Sequence, residues 1–86
     1  MTKLNSNPSI TTVIACIERA LDLHSGSLGE NSSSVEFNSW DSLGQVDIIM
    51  ALDILFGGKV NRIPEMADAN SVPKILAILI RLLLLP

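Results

Sequence analysis

Residues 41–57 place apolar side chains on two opposite sides of one helical segment, and a short chain can bury only one of those sides. Asp41 and Ser42 have the short polar side chains that cap a helix start, and Gly57-Gly58 supplies the left-handed turn that most easily ends one. At roughly 100° per residue, Ile48, Ile49, Leu52, Leu55 and Phe56 gather on one face, with Gln45 at its edge. Leu43, Val46, Met50 and Ile54 gather on the other, interleaved with Asp47 and Asp53. The first face is the candidate core. The second, apolar but ringed with carboxylates, reads as a surface for a partner.

The rest of the composition narrows what such a helix can belong to. A chain of 86 residues makes a single domain, taken as residues 1–86, near the lower limit for a self-sufficient core. Aromatic residues are 3% of the total, so aliphatic side chains must do the packing. The net charge of −3 argues against a phosphate-backbone partner and favours a basic protein surface. Cys16 is the only cysteine, which leaves no disulfide and no cysteine-based metal site within one chain and suits a reducing cytoplasm. Met1-Thr2-Lys3-Leu4-Asn5 lacks the apolar core of a secretory signal. The apolar run Ile75 to Ile80 is broken by Arg81 and is too short to span a bilayer.

Helical spacing predicts further helices at about residues 8–23, 63–69 and 72–85, beside the one at 42–56, and no strands. The fold class is therefore all-α, a small three-to-four-helix bundle. Asn7-Pro8 suggests a cap with proline at the first helical position, and Ile10, Val13, Ile14, Ile17 and Leu21 supply the first apolar face. Cys16 lies at the edge of that face as a small hydrophobe, and His24 at the helix's end, where the dipole favours a cation. Pro64 and Glu65 suit the first turn of the short third helix. Ser71 caps the last one, whose broad apolar face runs from Ile75 to Leu83 with Ile80 and Leu84 roughly opposite. A helix apolar nearly all round predicts contact with a partner, weak self-association with a second copy, or a last turn that frays.

Asp41-Ser42-Leu43, followed by Val46-Asp47-Ile48-Ile49-Met50-Ala51-Leu52, resembles the acyl carrier protein family. The variant with Trp40 directly before Asp-Ser-Leu is similar to stand-alone carriers found beside secondary-metabolite or polysaccharide assembly enzymes. The resemblance is tight over about 20 residues at the start of the second helix and looser elsewhere. It implies a 4′-phosphopantetheine arm, derived from coenzyme A, on Ser42 beside Asp41. It also implies a docking surface of Leu43, Val46, Asp47, Met50, Asp53 and Ile54 for a phosphopantetheinyl transferase and for loading and downstream biosynthetic enzymes. Such carriers have a long first loop, which accounts for residues 25–41; Leu28, Val35 and Phe37 are the expected pins. Trp40 is either the last pin or an exposed contact beside the arm, packing being the commoner fate of a single tryptophan.

Three readings of Ser42 compete. As a catalytic nucleophile it lacks a nearby base and a G-x-S-x-G elbow, so the chain is not expected to be an enzyme. As a cap it would contribute about 1 kcal/mol, but a cap does not explain the second apolar face. As an attachment point, its phosphodiester would sit at the positive end of a helix, and acyl or aminoacyl groups would travel as thioesters between enzymes. The alternative is an unmodified helical protein–protein interaction domain using the same stripe. Gly44 stands where many fatty-acid carriers have an acid, Ile54-Leu55 where two more often follow, and Ala69 where an isoleucine is usual. Those departures give a less acidic, more apolar surface suited to a dedicated pathway.

Overall fold

The computed structural model describes residues 8–82 and residue 84. Among them the chain forms α1 (Ile10–Ala20), α2 (Ser42–Leu55) and α3 (Val72–Arg81), with short 3₁₀ turns at Ser34–Glu36 and Pro64–Asp68. The result is a small all-α bundle. Its core is aliphatic, with Val13 and Ile17 from α1, Ile48 and Leu52 from α2, and Ile75 and Leu79 from α3 all fully buried.

α2 matches its expected span, whereas α1 and α3 are shorter than their apolar patterns, and the caps explain where helices begin and end. Ser9 is extended and its Oγ accepts the Thr12 N–H at 3.2 Å, so α1 begins after Ser9 rather than at Pro8; Asn7, the expected cap, lies outside the described residues. At the other end Asp22 adopts φ 58, a left-handed conformation that Asp tolerates better than most side chains. The Asp22 N–H then reaches Arg19 O at 3.2 Å and the Leu23 N–H reaches Glu18 O at 2.8 Å, closing α1 at Ala20. His24 is therefore not at a helix terminus but on an exposed turn beyond it. Gly57, with φ +68, does for α2 what Asp22 does for α1: Gly57 N–H meets Ile54 O and Gly58 N–H meets Asp53 O at 2.7 Å.

The expected third helix at 63–69 is only the 3₁₀ turn Pro64–Asp68, and α3 ends at Arg81 rather than near 85. Ser71 caps α3, accepting the Lys74 N–H at 3.2 Å, with Pro73 in the first turn as the sequence predicts. Beyond Arg81 the pattern misleads. Leu82, assigned to the apolar face, is exposed, whereas Leu84 packs against the core with its N–H on Leu79 O at 2.9 Å. Leu83 lies outside the described residues.

The long loop before α2 is held by groups the apolar pattern does not reveal. Glu18 is buried on α1, and its Oε2 accepts the N–H groups of Gly26 and Leu28, both at 2.9 Å. Farther on, Ser33 pairs with Ser71 in an isolated antiparallel bridge, flanked by Ser34 N–H to Asn70 O and Val72 N–H to Ser32 O. Leu28 is buried and Phe37 half-buried against the core, as expected of pins. Val35 is not a pin: it is 90% exposed, because the 3₁₀ turn that carries it faces away from the bundle.

Candidate functional site

Ser42 is the first residue of α2 and is exposed. Asp41 precedes it in extended conformation and caps the helix twice, through Oδ1 to the Gly44 N–H at 2.9 Å and through its carbonyl to the Gln45 N–H at 2.8 Å. With those two donors taken, the N–H groups of Ser42 and Leu43 have no protein partner among the described residues. An unsatisfied pair of donors at the positive end of a helix is the local chemistry that favours an anion.

The segment before Ser42 lies directly on the first turn of α2. A Cβ at Gly44 would stand 2.1 Å from the Ser39 carbonyl oxygen, so only glycine lets the two backbones approach this closely. Gly44 is thus required by packing at this point of α2. Trp40 is buried, 4% exposed, which decides between the two fates left open for it: it is a pin. Its indole Nε1 donates to Gln45 Oε1 at 2.7 Å, and Gln45 Nε2 donates to Met66 O at 2.9 Å and Ala69 O at 3.0 Å. One side chain therefore joins the loop, α2 and the second 3₁₀ turn. Each such bond is worth about 1 kcal/mol net, but a buried group left without its partner costs about 1–3 kcal/mol.

Beside Ser42 a groove of ≈ 440 Å³ opens to solvent, lined by Ser34, Trp40, Ser42, Gln45, Asp68 and Asn70 among others. Most of its wall is polar. On the other side of Ser42 runs the second face of α2. Leu43 is 76% and Ile54 81% exposed, with Val46, Met50 and Asp47 exposed between them. Of the residues assigned to partner contact, Leu43, Val46, Asp47, Met50 and Ile54 thus lie exposed on one face headed by Ser42, while Asp53 is half-buried. α2 carries two acids, Asp47 and Asp53, and no cation. Asp53 also holds the fold together locally, since its Oδ1 accepts the Val60 and Asn61 N–H groups at 3.0 and 2.9 Å and so closes the loop after α2.

Elsewhere the chemistry is quiet. Cys16 is buried, and that burial pushes its thiol above the ordinary value although Arg19 pulls it down, so it behaves as a small hydrophobe. It borders a second, more apolar groove of ≈ 370 Å³ between α1 and α2, with Ala20, Ala51, Ile54 and Leu55. Among the described residues no three His, Cys, Asp or Glu side chains converge, and no helix is long and apolar enough to cross a membrane.

Three residues that shape the site or the loop leading to it carry weak sequence signals or none. Gly44 interrupts a helical pattern, which marks a close approach but not its partner. Gln45 sits at the edge of the buried face, a position that hints at a half-buried polar group. Glu18 has no local signal at all, because its partners are backbone groups of a distant loop.

No family model, curated protein or solved structure matches the chain.

Proposed function

We propose that this chain is a carrier protein that tethers acyl or aminoacyl intermediates on a 4′-phosphopantetheine arm attached to Ser42 and presents them to partner enzymes of a cytoplasmic biosynthetic pathway. The observation that carries the reading is the position of Ser42: an exposed hydroxyl at the first residue of α2, heading an apolar face turned to solvent. A cap needs no hydroxyl there, since Asp41 already caps the helix.

The residues present fit such a group. The Ser42 hydroxyl is open, the Ser42 and Leu43 N–H groups are free to face a phosphodiester, and the adjoining groove leaves room for a chain leading away from it. When bound, the arm supplies a terminal thiol on which cargo is held as a thioester. The protein's own part is to fix the attachment point. Gly44 packs under Ser39, Trp40 and Gln45 lock the preceding loop, and Leu43, Val46 and Met50 offer an apolar strip beside Asp41 and Asp47. A transferase or client enzyme with an apolar notch and basic rim complements that face. Nothing in this role requires the chain to catalyse a reaction.

A second reading, an unmodified helical interaction domain, draws on the same strip and on exposed Ile80 and Leu82 near the end of α3. It predicts complexes indifferent to coenzyme A. Incubation with coenzyme A, magnesium and a broad-specificity phosphopantetheinyl transferase separates the two: a carrier gains one arm at Ser42, and an interaction domain gains nothing.

A further inference from the structure

The groove beside Ser42 is polar, and its floor is shut. Gln45 spans the gap between α2 and the second 3₁₀ turn, with Oε1 on the Trp40 indole and Nε2 on the Met66 and Ala69 carbonyls. Beneath it Met66 and Ala69 are buried. An aliphatic chain entering the bundle from Ser42 would have to break all three hydrogen bonds and could replace none of them. The groove itself offers what a polar chain needs. Ser34 Oγ and the Asp68 carboxylate have no protein partner among the described residues, and Asn70 gives only its Oδ1, to Lys74 Nζ at 3.2 Å, so its NH₂ remains free.

Resting on the carrier reading, we propose that this groove seats the amide-bearing part of the Ser42-linked arm and that the Trp40–Gln45 lock keeps the cargo outside the bundle. Ser34 and Asp68 accept from the arm's amide N–H groups and Asn70 donates to its carbonyls. A thioester left in solvent suits short or polar acyl groups, whose exposure costs little. It does not suit long aliphatic chains, whose apolar surface would remain in water at about 0.8 kcal/mol per CH₂. The apolar groove bordered by Cys16 is no substitute at the point of attachment. It opens between α1 and α2, whereas an arm seated in the polar groove runs toward Asp68 and Asn70.

The test loads the full chain with acetyl- and octanoyl-phosphopantetheine from the corresponding coenzyme A thioesters, with loading verified by intact mass. The expected result is nuclear Overhauser contacts from the arm to the Trp40 indole and Asn70 in both forms. Octanoyl is expected to add no shifts at Leu52, Leu79, Ala20 or Ala51, and hydroxylamine should cleave both thioesters at rates within about threefold. Octanoyl shifts at those four residues, octanoyl protection of about tenfold or more, or an arm without contacts in the groove would overturn the proposal. Failure of the chain to load at all removes the carrier reading itself, and this proposal with it.

Discussion

The Trp40 indole N–H donates to Gln45 Oε1 at 2.7 Å, and through that bond the loop before α2 is fastened to the turn before α3. Gln45→Ala leaves the Trp40 indole N–H and the Ala69 carbonyl without partners and takes one of two donors from the Met66 carbonyl, which keeps the Ala69 N–H at 3.2 Å. The expected cost is about 2–4 kcal/mol, read as a lower urea midpoint with unchanged slope. A loss under ~0.5 kcal/mol would show that water replaces Gln45 freely.

Gly44→Ala sets two effects against each other. Alanine favours a helix over glycine by about 1 kcal/mol. Against that, its Cβ would meet the Ser39 carbonyl at 2.1 Å, so the segment before Ser42 must move. Overpacking against backbone wins, and the variant is expected to lose about 2–3 kcal/mol in chemical denaturation. A gain in stability would mean that the Ser39–Asp41 segment is not held where it lies.

The apolar strip of α2 behaves differently because it is not core. Leu43→Ser and Met50→Ser, at exposed positions, should change stability by no more than about 0.5 kcal/mol. The same variants should lower kcat/KM for modification by a phosphopantetheinyl transferase several-fold. Unaltered kinetics in both would remove that strip from docking.

One ion pair gives a pH signature. The Glu65 carboxyl is held below the ordinary carboxylate range, first by a backbone hydrogen bond at Glu65 itself and then by the Arg81 guanidinium. Because the folded value is the lower one, the stabilisation is present above the unfolded value and is lost as pH falls through the folded one. Arg81→Ala should raise the Glu65 titration midpoint only part of the way back, followed by carboxyl carbon shifts. A complete return would assign the whole effect to Arg81.

These cases show where the sequence was legible. Ile48, Leu52 and Phe56 against Leu43, Met50 and Ile54 follow from helical period alone, and the structure buries the first set and exposes the second. Ser71 and Asp41 act as the caps that their residue types suggest. The ends of α1 and α3 were not legible, because apolar residues continue past both. Asp22 turns left-handed after α1, and the chain beyond Arg81 brings Leu84 back to the core. Nor does a local pattern reveal that Glu18 holds Gly26 and Leu28, since that bond depends on where the loop returns. At the site itself, Ser42 and its strip came from pattern and resemblance, whereas the polar groove and its Gln45 floor emerge only in three dimensions.

The central claim concerns the Ser42 hydroxyl, and intact mass spectrometry addresses it directly. After incubation with coenzyme A and a broad-specificity transferase, the wild-type chain is expected to gain a single phosphopantetheine, and Ser42→Ala, still capped by Asp41, to fold and gain none. An unchanged wild-type mass, or an equal gain in Ser42→Ala, would contradict it.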